Sequence, residues 1–197
     1  MHEIDVVLSD ALVGILALWL GLRVNRHCQR ESLHGALHIV FYAAAAGAWL
    51  GAIWHGFYAS DHGALSVVLW RLTMLSVGVT AYGFALFGTG LLASKPQAWL
   101  WLFRALLAVY ALSLLISDDF RLAIAVYIPA VLLALAGLVR RGNLAGIAGL
   151  VLVLLASAYQ QWGPDLHADW LTHNTVYHLI LLPSLMLFWL GASSERQ

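Results

Sequence analysis

Long apolar stretches, interrupted by short polar or turn-forming clusters, run along almost the whole chain. Stretches of about 17 to 25 apolar residues are long enough to cross a hydrocarbon core of ~30 Å as helices. The pattern predicts seven such spans, at 6–22, 36–58, 65–93, 98–116, 121–139, 144–162 and 171–191. The expected class is therefore all-α, a single seven-transmembrane-helix bundle filling residues 1–197. Turn and charge signals separate the spans: Arg23 to Gly35, Gly56 to Gly63, Ser94-Lys95-Pro96, Ser117-Asp118-Asp119, Arg140-Arg141-Gly142-Asn143 and Trp162-Gly163-Pro164-Asp165. Each separator is short, so successive helices should run antiparallel. The first span has no basic leader and no small-residue cleavage site, and reads as a retained helix.

Composition sharpens this picture. Of 197 residues, 62% are apolar and 10% charged, well below the charged share of a soluble domain. Basic and acidic residues cancel to zero net charge, leaving no basic face for a phosphate backbone, so nucleic acid is excluded as a partner. The lone cysteine, Cys28, rules out an internal disulfide and a multi-thiolate metal site. Among loop residues the N-terminal side has Arg121 as its basic residue, whereas the other side has Arg23, Arg26, Arg30, Lys95, Arg140, Arg141 and Arg196. The positive-inside rule then predicts an outward N-terminus and a cytoplasmic C-terminus. The outer side gathers Glu3, Asp5, Asp61, Asp118, Asp119, Asp165 and Asp169 with His2, His55, His62, His167, His173 and His178. Trp54, Trp70, Trp162 and Trp170 near that interface, and Trp99 and Trp101 near the inner one, fit aromatic belts. The run Ala43 to Ala48 with Gly51 predicts close helix packing in the second span.

Ionisable groups inside a span cost several kcal/mol and normally face the bundle interior, which makes each one a candidate for function. Asp10 lies about a turn inside the first span, and His55 closes the second in Trp54-His55-Gly56-Phe57-Tyr58. In the seventh, Asn174 and His178 are four residues apart on one face and His173 points elsewhere. A rise of ~1.5 Å per residue puts His178 roughly 10 Å below the outer end of that helix. Tyr58, Arg71, Arg121, Tyr127, Tyr159, Gln160, Gln161 and Tyr177 fall towards the same end. A polar pocket open to the outside accounts for all of these positions. His34 and His38, at the inner end of the second span, read as structural.

Imidazole is a common zinc ligand, and two or three histidines with a carboxylate and a water would make a catalytic centre. His55, His178 and either Asp10 or His173 are the candidate ligands, with Asp10 also a candidate catalytic carboxylate. The bound water would attack a carbonyl while Tyr127, Tyr177 or Arg71 stabilised the oxyanion. Asn174, Gln160, Tyr159 and Tyr58 would line the ligand pocket. Calcium is an alternative ion, since Glu3, Asp5, Asp118 and Asp119 are hard oxygen ligands on one side. No HExxH motif and no GxSxG elbow is present. The one lysine, Lys95, lies in a loop, which excludes a retinal Schiff base within a helix.

Seven spans, a histidine closing the second and a histidine-bearing face opening the seventh resemble the alkaline ceramidase, adiponectin-receptor and hemolysin III superfamily in topology. The resemblance implies a zinc ion held by one second-helix histidine and an HxxxH pair in the seventh, and hydrolysis of a lipid amide or related bond. His55 matches the first ligand and His178 the last. Asn174 departs from the pair's first position, Gly51 stands where a serine is usual, and the third span has no aspartate. The chain is also similar to small bacterial seven-helix membrane proteins of unknown function, through residues 2–10, Trp54-His55-Gly56 and 174–178, which implies a bacterial inner membrane. The leading expectation is a metal-dependent hydrolase of a lipid amide or ester. The alternative is a non-catalytic receptor or binding protein that takes a small amphiphilic ligand, or an ion, in the same pocket. A bis-histidine haem protein and a small transporter are further alternatives.

Overall fold

The computed structural model describes residues 3–27, 33–61, 63–93, 97–167 and 170–195. His2, Cys28, Arg30, Glu31, His62, Lys95, Asp169 and Arg196 lie outside the described residues. Among the described residues the fold is all-helical, in seven helices: α1 (Ile4–His27), α2 (His34–Ile53), α3 (Ala64–Leu92), α4 (Gln97–Ser113), α5 (Phe120–Arg141), α6 (Leu144–Trp162) and α7 (His173–Ser194). Six of them are long and apolar enough to cross a membrane, so the chain reads as an integral membrane protein; α4 is the shorter exception. Their outer faces carry Leu8, Leu12, Ile15, Leu22, Leu132 and Leu155, exposed as lipid contact requires.

Local chemistry sets the ends. Asp119 and Thr172 cap α5 and α7 with side-chain oxygens that accept from Arg121 N and Thr175 N. Between α5 and α6 the backbone reverses at Gly142, whose φ of 67° suits a residue without a Cβ, and Asn143 then accepts from Gly146 N. One boundary stands at the expected residue but in another helical form, and one shifts. The second span ends in a π-helical turn, Trp54–Tyr58, which continues α2. The fourth helix stops at Ser113 instead of 116, where the Ser113 hydroxyl donates back to Tyr110 O and the chain turns through 114–116.

Helices α1, α2, α3, α5, α6 and α7 pack in that order as a ring, closed by α7 against α1, and α4 packs on the outside of α3. The Tyr110 hydroxyl donates to Met74 O at 2.8 Å, and Trp70 Nε1 to Asp118 O at 3.0 Å. The chain therefore returns along α4 to the end at which α3 began. Inside the ring, α1 turns a stripe of Val6, Ser9, Asp10, Val13, Ala17, Leu20 and Val24 inward. The helical spacing of that stripe carries Ser9 and Asp10 into the interior with the apolar residues. Phe188 of α7 sits among Phe41, Phe84 and Phe87, at centroid distances of 5.9, 5.2 and 5.3 Å, in the middle of the core.

Candidate functional site

The six-helix ring encloses a cavity of about 430 Å³, a volume typical of small-molecule sites. Phe84, Leu181 and Leu185 make its apolar depth, and Glu3, His55, Gln160, His173 and Asn174 border its polar end. Ala43, Ala44, Gly47, Ala48 and Gly51 form one wall. The small residues of α2 serve two ends here. Gly47 brings α2 against Ser76 of α3, as close packing predicts, and the same run leaves open space on the cavity side.

Two acid–imidazole pairs meet this space. His178 is 8% exposed, with Nε2 at 3.1 Å from Asp10 Oδ1 and Nδ1 at 3.1 Å from Ser9 Oγ. The Ser9 hydroxyl donates to Val6 O at 3.0 Å, so its proton is committed and Nδ1–H must be the donor to Ser9. A contact between Nε2 and Asp10 then requires one proton between them, on either partner, and the pair is neutral as a unit. Asp10 Oδ2 lies against bare Gly51, where a Cβ would come within 3.0 Å of it. Asp10 from α1 thus takes the space that a side chain at position 51 would need. The second pair is His55 Nδ1 with Glu3, held on the π-helical turn, where the Trp54 ring packs edge-on to His55 at 5.0 Å. Trp54 is fixed by Ser66 Oγ at 3.1 Å and by Trp70 at 4.8 Å.

The other candidates are distributed less evenly. Tyr127, Tyr177, Asn174 and Gln160 line the cavity, and Gln160 reaches Asn174 Oδ1 at 3.4 Å. His173 borders the cavity but its ring and backbone N–H bind Asp165, at 2.8 and 2.6 Å. That backbone N–H, and then the imidazole, hold the Asp165 carboxyl below the usual range. Arg71, Tyr58 and Tyr159 are not among the lining residues. Arg71 is one position beyond cavity-lining Trp70 and leaves the cavity face, Tyr58 supplies its carbonyl to Ser66, and the Tyr159 hydroxyl donates to Pro164 O. The sequence offers no role for Ser9, and it offers Asp5 as a calcium ligand instead of the tie between helices that the structure shows. Asp5 accepts from the hydroxyls of Thr172 (2.9 Å) and Thr175 (2.6 Å) and ties the start of α1 to the start of α7. The inward stripe of α1 was the available signal for Ser9.

The donor set does not fit the expected zinc centre. Among the described residues no three His, Cys, Asp or Glu side chains converge as a metal ion requires. Both ring nitrogens of His178 are engaged, His55 is held by Glu3, and His173 is turned to Asp165. The proposed calcium ligands are dispersed: Asp5 serves α7, Glu3 holds His55, Asp119 is bound by Arg121, and Asp118 gives its backbone carbonyl to Trp70. The Arg121 guanidinium holds the Asp119 carboxyl below its usual range.

No curated protein and no solved structure matches the chain. Residues 6–197 match a family of unknown function, DUF6962. With that match over nearly its whole length, the chain belongs to the DUF6962 family.

Proposed function

We propose that this protein is a seven-span membrane receptor or binding protein whose central cavity captures one small amphiphilic molecule. The observation that carries the reading is the cavity itself, about 430 Å³ within the ring, apolar in its depth and bordered by paired polar side chains at one end. Such a division of surface suits a ligand with an apolar body and a polar head. Support for the seventh span comes from α4, which returns the chain to the outer end of α3 although it is short. The zinc hydrolase of a lipid amide or ester is the reading set aside, since among the described residues no three candidate ligands converge.

Protein purified in mild detergent without chelators is expected to retain a small amphiphile near one per chain by native mass spectrometry. Ala44→Phe, which projects a ring into the cavity, should fold and lose that molecule. Zinc in the same preparations should be well below one per chain. An amphiphile held equally by the filled variant defeats the pocket reading, as does the lack of any bound species; one zinc per chain returns the hydrolase to first place.

The membrane is a bacterial inner membrane in this reading, with the polar end of the cavity facing out. Arg23, Arg140 and Arg141 on the opposite side set that orientation. In a Cys28→Ser background, Ser60→Cys is expected to react with a membrane-impermeant maleimide in intact cells. Reaction only after lysis reverses the orientation.

A further inference from the structure

We propose that the head of the captured molecule is cationic, an amine or quaternary ammonium, and that it takes the place of the proton shared by Asp10 and His178. This deepens the pocket reading above and rests on it.

Three observations converge. Among the described residues the lining contains no lysine or arginine, and its carboxylates are Asp10 and Glu3. It is rich in aromatic rings, with Trp54, Trp70, Phe120, Tyr127 and Tyr177 among the lining residues, and Trp54 and Trp70 packed as a pair beside His55. Aromatic faces attract a cation through their quadrupoles, more strongly when water is excluded. Finally, Asp10 has one oxygen on His178 and the other beside Gly51, where nothing but hydrogen projects from α2. Asp10 is itself one of the cavity-lining residues, so an ammonium group in the cavity can reach its carboxylate from that side without displacing a side chain.

The neutral state of the pair fixes the proton balance. With the Ser9 hydroxyl committed to Val6 O, a single proton lies between Asp10 and His178. A cation beside Oδ2 favours the ionised carboxylate and opposes a positive imidazole. The proton therefore leaves to water as the ligand enters, the contact between Nε2 and Oδ1 gives way to one between carboxylate and ammonium, and with one charge in and one charge out the site stays neutral. Titratable neighbours on the packed elements are Glu3 ahead of α1, Asp5 on α1, His55 on the π-helical turn, Tyr127 on α5, and His173 and Tyr177 on α7. From α3 and α6 the lining contributes Thr73, Thr80, Ser157 and Gln160, none of which titrates. Glu3 and Asp5 add negative character at the polar end and favour the same sign of ligand.

The test uses the full chain in lipid nanodiscs and three probes sharing one tail: octyltrimethylammonium, octanol and octanesulfonate. Calorimetry in two buffers of different ionisation heat reads both affinity and proton release. The ammonium probe is expected to bind about tenfold or more tighter than octanol, roughly 1.4 kcal/mol, to release one proton, and to gain affinity as pH rises. Octanesulfonate should bind weakest. Asp10→Asn should erase the preference while octanol still binds. Equal binding of ammonium and octanol, or no proton release by the wild-type protein, overturns the cationic assignment and leaves the pocket intact. Failure of all three probes overturns the pocket reading itself. The wild-type measurements decide the matter even if Asp10→Asn does not fold.

Discussion

Leucine in place of Gly149 is expected to destabilise the protein by about 3 kcal/mol, the upper part of the usual range for overpacking a core. A Cβ at 149 would lie 2.4 Å from Phe188 N and 2.8 Å from Ser184 O. Both obstacles are backbone, so no side-chain rotation relieves the clash, and α6 must move away from α7. Small residues are what allow such close approach in a bilayer, where helix association depends on packing. The damage should travel, because Phe188 sits at the centre of the aromatic core and Phe84, in contact with it, forms part of the cavity. Gly35→Ala is the control: nothing lies within 4 Å of its position. Alanine there should be neutral or stabilise by up to about 1 kcal/mol through helix propensity. Survival of the folded protein after graded heating, followed by gel filtration in detergent, distinguishes the two. A Gly149→Leu variant as heat-resistant as wild type would contradict the described contact of α6 and α7.

A double-mutant cycle across Asp10 and His178 should give the second largest effect. Each single change, Asp10→Leu or His178→Leu, leaves a polar group buried without its partner, which costs about 1 to 3 kcal/mol. His178→Leu also strips Ser9 Oγ of its donor. The double variant removes both ends of the contact, so the expected coupling is about 1 to 2 kcal/mol, with the pair less destabilised than the sum of the singles. His38→Ala, at a ring stacked on Tyr42 5.5 Å away and remote from the cavity, should have little effect on ligand retention. Strictly additive losses at 10 and 178 would separate the two residues and remove the basis for a shared proton.

The helices were largely legible from the sequence because a bilayer imposes length and apolarity on each span. Asp10, His178 and Asn174 were legible for a related reason, since a polar residue deep in an apolar helix has few places to point. Their partners were not. The pairing of His55 with Glu3 joins residues 52 positions apart, and such a contact depends on which helices become neighbours. The zinc expectation failed to anticipate this, treating the histidines as free donors when carboxylates from the start of the chain engage His55 and His178. The exterior position of α4 left a trace that went unused. Its described sequence, Gln97–Ser113, contains no glycine, whereas each of the six ring helices contains at least one. A helix without such a residue has less means of bringing its backbone close to a neighbour.

The closure of the ring by α7 against α1 has a consequence for biosynthesis. Ser9 and His178 are 169 residues apart, so Asp10 enters the membrane with α1 long before its partner has been translated. Until α7 arrives, that carboxyl must remain protonated, stay near the lipid headgroups, or be sheltered by another protein. Assembly of the central cavity and relief of the stranded acid are thus one event, and it comes at the end of insertion. A ribosome stalled before α7 would display an unsatisfied polar helix, a feature by which membrane quality control can recognise an unfinished chain.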